Sequence, residues 1–350
     1  MREAKFARAG RKRKLTARSE ATLQFTEFGF GAAPLGNLCR PATEKQARAT
    51  LDAAWASDCR HHDTAPIHGL GLSETRLNGF LRAKPRDAFL VSTKVGRLLQ
   101  LCRPERRSFQ SRFFETPARR ERFDYGYNGV MRSLEFSLER LGLDYVDIVY
   151  AHDIDIFTHG SKEASDVRVC EFMDGGYKAL AKLRDCGTIQ AIGAGINEWE
   201  VAETLARAGD FDVFTLADRY TLLEQGTLQS FLPCRVEKNI GVVIGGPFNS
   251  GILATGPKRG AHYNYRPAPP AVLDRVRRIE TICKGHGVKL AAAARRFPFS
   301  HPAIVSVIPG GQKPGEVRHN AETLNAQIPA AMWRELKASG LLRSDAPTPR

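Results

Sequence analysis

The sequence has no Cys-x-x-Cys pair, and its seven cysteines are odd in number and scattered along 350 residues. This usage argues against a disulfide framework or a metal site of the zinc type, and it is typical of reduced thiols in a cytoplasmic protein. No apolar run approaches the roughly 20 residues that cross a bilayer, so we expect no membrane partner. No Gly-x-Gly-x-x-Gly follows the first predicted strand, which removes the main support for a Rossmann domain.

Acidic residues are scarce in two segments that carry most of the net charge of +14. Residues 1–18 contribute +7 and residues 97–122 contribute +5, so the remaining body is close to neutral. Such segments can bind polyanions weakly, but solvated surface explains them as well. We expect no specific nucleic-acid partner. Residues 1–22 show no core pattern and are interpreted as a basic extension, with disorder as one alternative.

The rest of the chain, with 42% hydrophobic residues overall, is expected to form one large domain. Eight predicted strands follow from Phe28 onward, and nearly every one precedes a helix. Most are continuous apolar runs, which is typical of parallel strands buried on both faces. The pattern predicts an α/β fold, a (β/α)8 TIM barrel over residues 23–343, with 344–350 as a tail. Residues 97–123 and 249–268 are predicted to be irregular insertions.

Ionisable residues end three successive predicted strands. The second strand ends at Asp63, with His68 in the loop beyond, the third carries Lys94, and the fourth ends at His152. Each has an ordinary structural explanation, such as a capping carboxylate, a buried ion pair or a core histidine. In a barrel, however, strand carboxyl ends converge on one site, so the set favours an active site.

Several motifs around these residues resemble the aldo-keto reductase superfamily. They are Asp-Thr-Ala-Pro at 63–66, Ser-Thr-Lys at 92–94, and the run 137–147 that precedes His152. More narrowly, the segments 31–38, 152–155, 193–200 and 245–253 are similar to the D-threo-aldose 1-dehydrogenase and L-fucose dehydrogenase branch. Pyridoxal 4-dehydrogenases are similar to this branch too. The resemblance covers about residues 28–343.

The resemblance implies a catalytic tetrad of Asp, Tyr, Lys and His, which becomes Asp63, His68, Lys94 and His152 in this sequence. His68 therefore replaces the family tyrosine, the proton donor and acceptor, and His62 replaces an aromatic residue usual before the Asp. A neutral His68 can accept a proton near neutral pH, but Lys94 disfavours the imidazolium that donation requires. We therefore expect the substitution to spare oxidation more than reduction.

The resemblance also implies a cofactor, NAD or NADP, extended across the carboxyl face of the barrel. Pro309, Gly310 and the next helix are expected to bind its adenosine phosphate portion. Glu316 stands where NADPH-preferring members place an arginine, with Asn320 one turn later. A carboxylate there repels a 2′-phosphate and can accept from a ribose hydroxyl, which predicts a preference for NAD.

Two further segments are candidates for cofactor contacts. Asn197 is a candidate for the nicotinamide carboxamide, although the register around it is ambiguous. The turn Gly246-Pro247-Phe248 either contacts the nicotinamide or pyrophosphate or is purely structural.

These observations favour a cytoplasmic oxidoreductase, monomeric or a small homo-oligomer, with a small-molecule sugar or hemiacetal substrate. The leading hypothesis is NAD-dependent oxidation of the anomeric carbon of an L-fucose-like aldose to its lactone. One alternative is a pyridoxal 4-dehydrogenase-like oxidation. Another is a catalytically weak dinucleotide-binding regulatory barrel, because the tyrosine is replaced at His68.

Overall fold

The continuous apolar runs form eight parallel strands in the computed structural model, which describes residues 8–108 and 112–349. The strands are β1 (Phe30–Gly31), β2 (His61–Asp63), β3 (Leu90–Val95), β4 (Ile148–His152), β5 (Ala191–Ile196), β6 (Val213–Ala217), β7 (Gly241–Gly245) and β8 (Ile304–Ile308). Each strand pairs with the next in chain order. Bridges from Phe28 to Val307 and from Gly31 to Gly310 bring β1 against β8. The sheet therefore closes into the predicted (β/α)8 barrel.

Helices surround this barrel. They are α1 (Glu44–Ala56), α2 (Leu72–Leu81), α3 (Tyr127–Leu141), α4 (Ile156–His159), α5 (Lys162–Glu171), α6 (Tyr177–Asp185), α7 (Trp199–Ala208), α8 (Phe231–Glu237), α9 (Ile252–Thr255), α10 (Pro270–Gly285), α11 (Leu290–Arg296), α12 (Pro314–Thr323) and α13 (Ala330–Ala338). Thr43 caps α1 by accepting a hydrogen bond from Gln46 N at 3.2 Å. Within the described residues, no helix is long and apolar enough to cross a membrane.

The two segments predicted to be irregular insertions contain regular structure. The first insertion is an antiparallel hairpin of Arg97–Leu101 and Arg119–Phe123, joined by residues of which 109–111 lie outside the description. The second insertion contains α9 and a short strand pair, His262–Tyr263 with Arg266–Pro267. Between β4 and α6 the chain forms α4 and α5. Arginine-rich strands give little apolar periodicity, which explains why the first hairpin was missed.

A hairpin also lies before the barrel, where the sequence predicts no strand as far as residue 22. Lys12–Thr16 pairs antiparallel with Thr22–Thr26. Its buried Leu15, Leu23 and Phe25 pack with inward-facing side chains of the barrel strands. The hairpin therefore covers one end of the barrel interior. For residues 1–7, the expectation of disorder lies outside the described range.

The basic residues of this region have a structural partner. The carboxylate of Glu27 is fully buried, and the Nε atoms of Arg8, Arg11 and Arg13 lie 3.5, 3.8 and 3.0 Å from its oxygens. A buried carboxylate needs compensating charge, because desolvation costs several kcal/mol per ion. Three arginines of the basic segment are therefore part of the folded structure.

His62 packs as an aromatic residue in the layer between barrel and helices. Its ring lies 6.2 to 6.4 Å from the rings of Phe30, Phe80 and Phe89, edge to face. Neither ring nitrogen has a hydrogen-bond partner within the described part of the chain. Burial, with His61 and Arg60 adding to it, lowers the pKa of His62 from 6.5 to about 3. The ring is therefore neutral, and it occupies the place of an apolar aromatic side chain.

Replacing His62 by phenylalanine should remove an acid-sensitive group from the core. The unfolded chain protonates this imidazole below pH 6.5 but the folded protein does so only near pH 3, so wild-type stability falls as the pH drops through this window. The free energy of unfolding of His62→Phe, compared with that of wild type, should therefore rise by about 1.4 kcal/mol for each unit by which the pH falls within this window. Denaturant unfolding across this window measures it, and the difference near pH 8 isolates the packing change. A pH-independent difference contradicts the prediction.

Candidate active site

A buried ion pair joins the ends of β2 and β3. Lys94 Nζ donates to Asp63 Oδ1 and Oδ2 at 2.9 and 2.8 Å and to the Thr64 carbonyl at 2.8 Å. Ser92 Oγ donates to Asp63 Oδ1 at 2.7 Å. The three ammonium contacts account for the donor capacity of the lysine. The pair therefore holds a fixed positive charge at the carboxyl end of the barrel.

Gly195 on β5 provides the space for the lysine side chain. A Cβ atom at this position would lie 2.9 Å from Lys94 Cε and 3.3 Å from Cδ. Contacts under 3.0 Å force one group to move, and the ammonium is tethered by three hydrogen bonds. Lys94 can therefore occupy this position only because residue 195 has no side chain.

The loop after β2 places His68 beside this charge. Its backbone N donates to the Ala65 carbonyl at 3.1 Å, and its carbonyl accepts from Ser73 N at 3.2 Å. The imidazole lies 6.2 Å from Phe113, nearly parallel to it, and 6.1 Å from the His152 ring. Burial and then Lys94 lower the pKa of His68 from 6.5 to about 3, although Asp63 opposes the shift. The imidazole is neutral at physiological pH.

The same environment governs His152 at the end of β4. Burial, followed by Arg97, Lys94 and His68, lowers its pKa well below the usual 6.5. Its Nε2 atom lies 3.3 Å from Asp153 Oδ2, while its buried Nδ1 has no partner among the described residues. The structure thus brings together all four tetrad residues predicted from the sequence, with both imidazoles neutral.

The residues expected at the phosphate end lie at two neighbouring strand ends. Gly246 follows β7 and Gly310 follows β8, and both are exposed where the preceding strands are fully buried. Gly246 has φ of 56°, and a Cβ atom there would lie 2.3 Å from Asp218 Oδ1. Asn320 Nδ2 donates to the Gly310 carbonyl at 3.2 Å. Bare backbone at adjacent strand ends allows close approach of a pyrophosphate, so these positions fit a dinucleotide.

The residues flanking these glycines are part of the packed turns. Pro247 is buried, and Phe248 is partly buried against the main core. Pro309 accepts a hydrogen bond from Gly31 N at 3.2 Å through its carbonyl. Direct cofactor contacts of these three residues stay a prediction.

Glu316 caps its own helix and pairs with an arginine that was not singled out in the sequence. Its Oε2 accepts from Gln312 N at 2.8 Å and Lys313 N at 3.1 Å, and its Oε1 accepts from Arg40 at 2.8 Å. Burial favours the protonated form, but these hydrogen bonds outweigh it and lower the pKa of Glu316. An ionised carboxylate therefore holds the N–H groups of Gln312 and Lys313, which immediately precede α12.

Asn197 uses its amide to hold two carboxylates. Its Nδ2 donates to Asp153 Oδ1 at 3.2 Å and to Asp155 Oδ2 at 3.3 Å, and its backbone N donates to Asp155 Oδ2 at 2.6 Å. Its proposed contact with the nicotinamide carboxamide stays a prediction. The structure adds a second role for this residue, because its side-chain amide binds Asp153 and Asp155 just after β4.

Several residues near the site were not found from the sequence. Phe113 lies in the first insertion, where Leu38 forms a bridge with it, and Arg97 opens the hairpin. Asp153 directly follows His152, so adjacency was a usable signal for it. The other two gave none, because their positions depend on how the insertion folds back over the strand ends.

The fold and this constellation define a class of protein. A (β/α)8 barrel with an Asp–Lys pair and two neutral imidazoles at its carboxyl end has the arrangement of an enzyme that moves protons at a strand-end site. Exposed glycine turns follow β7 and β8 at the same end of the barrel and fit a nucleotide phosphate. The comparisons with known proteins agree with this class.

The aldo/keto reductase family model matches residues 27–340. The chain is 40% identical to the D-threo-aldose 1-dehydrogenase of Pseudomonas sp over 95% of this chain and 98% of that protein. It is 38% identical to the pyridoxal 4-dehydrogenase of Microbacterium luteolum over 91% and 95% of the two chains. An aldo-keto reductase of Bacillus halodurans has a similar fold, with a TM-score of 0.72 at 22% identity and coverage of 97% and 98%.

The chain belongs to the aldo/keto reductase family. It is an oxidoreductase that acts on CH–OH groups with a nicotinamide cofactor. The family and the barrel predicted from the sequence are both confirmed.

Substituting Gly195 by alanine should lower activity through Lys94. The new methyl carbon would lie 2.9 Å from Lys94 Cε, so the lysine side chain must shift and distort its hydrogen bonds to Asp63 and Thr64. We expect kcat to fall by about tenfold to a hundredfold, because displacements near 1 Å have such effects. Gly79→Ala on the exposed side of α2, where a Cβ meets nothing within 4 Å, is the matched control. Equal activity of the two variants would show that Gly195 does not position the lysine.

Proposed function

We propose that the protein oxidises the anomeric carbon of an L-fucose-like or D-threo aldose to the lactone, using NAD. The observation that carries the proposal is the pair of neutral imidazoles beside the buried Asp63–Lys94 pair. Oxidation of a cyclic hemiacetal releases a hydroxyl proton, and a neutral imidazole can accept it. Reduction would need a good proton donor such as an imidazolium, and the lowered pKa values keep His68 and His152 in the neutral form, which is a much weaker proton donor.

The substrate class is supported by the relatives. The two reported above, at 40% and 38% identity, are named for oxidation of an aldose and of pyridoxal. The chain is also 30% identical to an L-galactose dehydrogenase of Arabidopsis thaliana over 88% of its length. Both aldoses and pyridoxal form cyclic hemiacetals, so one site chemistry suits either substrate.

The preference for NAD is supported by the contacts of Glu316. Its carboxylate occupies the backbone N–H groups of Gln312 and Lys313, just before α12, and its negative charge disfavours a phosphate there. Arg40 offsets part of this negative charge. When bound, the nicotinamide supplies the acceptor for the hydride that leaves the substrate carbon.

A regulatory barrel is the second candidate, motivated by His68 at the tyrosine position. Such a protein would bind dinucleotide without turnover. Calorimetry with NAD, run beside a turnover assay, separates the two functions.

The proposal predicts oxidation of at least one aldose or of pyridoxal in a substrate panel with NAD. His68→Tyr should restore a proton donor, so the ratio of carbonyl reduction to alcohol oxidation should rise by about tenfold or more. Initial rates in both directions, for wild type and variant, measure this ratio. His286→Tyr, which follows α10 on the outer layer, is the matched control. Binding of NAD without turnover on any substrate would instead support the regulatory barrel.

Substitutions of Glu316 and of its partner Arg40 should change the preference between NAD and NADP in opposite directions. Glu316→Gln removes the repelling carboxylate and leaves Arg40 free to meet a phosphate, so kcat/KM for NADP relative to NAD should rise about tenfold. Arg40→Gln removes the cation and should lower that ratio. Steady-state kinetics with both cofactors give the two ratios. A wild-type preference for NADP, or a shift of both variants in one direction, would overturn the assignment.

A further inference from the structure

The two insertions meet at the carboxyl end of the barrel, beside the candidate active site. The ring of Phe113, in the first insertion, lies 6.2 Å from that of His68. The residue before it, Arg112, places its guanidinium 4.0 Å from the centre of the Tyr265 ring, in the second insertion. Tyr265 in turn lies 6.2 Å from the ring of Phe157, which follows β4. Side chains of both insertions therefore border the site that holds His68.

The turn at the tip of the second insertion contacts a second arginine. Asn264 and Tyr265 are consecutive and have φ of 47° and 62°, which is the left-handed backbone of a tight hairpin turn. Arg219, just after β6, donates to Asn264 Oδ1 at 3.0 Å and to the Asp218 carbonyl at 3.4 Å. Because the two turn residues are adjacent, the turn brings Arg112 and Arg219 to one place.

Neither Arg112 nor Arg219 forms an ion pair within the described part of the chain, and their partners are the ring and the carbonyl oxygens given above. Arg97, at the start of the first insertion, shows the contrast, because it pairs with Glu121 and Asp153 at 2.9 and 2.7 Å. Arg112 is exposed and Arg219 is partly buried. Two accessible positive charges thus contact one turn without a counter-ion.

Two carboxyl groups near Arg219 offset its charge only in part. Burial raises the pKa of Asp218 to about 7, with Arg219 opposing the shift and Glu224 adding to it. At neutral pH this carboxyl is therefore ionised in only about half of the molecules. The carboxylate of Glu224 accepts a hydrogen bond from the Tyr263 hydroxyl. Positive charge therefore remains at the turn.

The hydroxyl of Tyr265 is a third donor at this place. Burial raises the pKa of Tyr265, Asp218 and Asp153 add to the shift, and Arg112 and Arg219 oppose it. The phenol is thus protonated at neutral pH and lies close enough to both arginines to be affected by their charges. Within the described residues the hydroxyl makes no hydrogen bond, so it can donate to a ligand.

We infer that Arg112, Arg219 and Tyr265 form a subsite for an anionic group of the substrate, either a carboxylate or a phosphate. Guanidinium groups bind both anions through charge-assisted hydrogen bonds, and the phenol adds a donor. The inference rests on the proposed function, to which it adds the chemical class of the substrate. Because Phe113 follows Arg112 directly and lies against His68, the subsite adjoins the place where the anomeric carbon reacts.

An anionic group on C6 of the sugar is compatible with the proposed oxidation. A pyranose closes its ring through the hydroxyl on C5, so C6 takes no part in the hemiacetal. A uronic acid carries a carboxylate at C6, and an aldose 6-phosphate carries a phosphate there. Both keep the anomeric C–H and O–H bonds that the oxidation breaks. The substrate class assigned is therefore an aldose with a negative charge at C6.

Binding tests the subsite without turnover. Galactose, galacturonate and galactose 6-phosphate differ only at C6, and calorimetry with NADH present measures their affinities at one ionic strength. The anionic sugar that the subsite fits should bind about tenfold more tightly than galactose, because a hydrogen bond to a charged group contributes about that factor. The larger gain identifies the carboxylate or the phosphate. If neither anionic sugar binds wild-type protein more tightly than galactose, the inference is wrong.

Substitutions locate the effect at the turn. Arg112→Gln and Arg219→Gln should each lower the ratio of anionic to neutral affinity by about tenfold. Tyr265→Phe removes the hydroxyl and keeps the ring beside Arg112, so its loss should be smaller, about fivefold. Arg120→Gln is the matched control, since exposed Arg120 lies in the same insertion and donates to Gln100 at 3.0 Å. An equal loss in Arg120→Gln would indicate an effect of net charge and would refute the subsite.

The outcomes separate this inference from the proposed function. If galactose is oxidised with NAD while the anionic sugars bind no more tightly, the subsite is refuted and the proposed function stands. If an anionic sugar binds through Arg112 and Arg219 but no sugar or pyridoxal is oxidised, the proposed function fails and the subsite stands. If both hold, kcat/KM should favour the anionic sugar in wild type and lose that preference in both arginine variants.

Discussion

The buried ion pair of Asp63 and Lys94 is the interaction on which the site depends. Two charges leave water there, and the cost is met only because every ammonium donor has an acceptor and Ser92 adds a donor to the carboxylate. The pair needs adjacent parallel strands in register and an empty side-chain position at Gly195. Burial keeps the neighbouring imidazoles neutral, and the positive charge of Lys94 adds to this effect. The barrel thus determines the charge state of the site.

The barrel could be predicted from the sequence because its signals are local. A strand buried on both faces is a continuous apolar run, and a capped helix such as α1 begins at a recognisable Thr43. The hairpin of Arg97–Leu101 with Arg119–Phe123 gave no such signal, since its strands are rich in arginine and its buried Leu98 and Leu99 are consecutive, which gives no alternation. The first strand of the N-terminal hairpin, Lys12–Thr16, was missed because it is rich in basic residues. Its fold depends on Glu27, whose burial becomes apparent only after the arginines converge on it.

The candidate site likewise contains residues that could be predicted from the sequence and contacts that could not. Asp63, Lys94 and His152 end consecutive strands, so counting strands was enough to predict their meeting. The environment of each imidazole depends instead on contacts between segments distant in sequence. Phe113 reaches His68 from the insertion, and Arg40 reaches Glu316 across 276 positions. Such contacts depend on loop conformation, which apolar periodicity does not encode.

The loop that carries His68 keeps its backbone conformation through hydrogen bonds that do not involve the His68 side chain. Its backbone is anchored through Ala65 and Ser73, so the conformation does not depend on the side chain at position 68. Histidine and tyrosine codons differ by a single base. One point mutation can therefore replace the imidazole beside the charge pair by a phenol while the pair stays in place. If residue 68 handles the proton as proposed, the direction of the reaction can change without any rebuilding of the barrel.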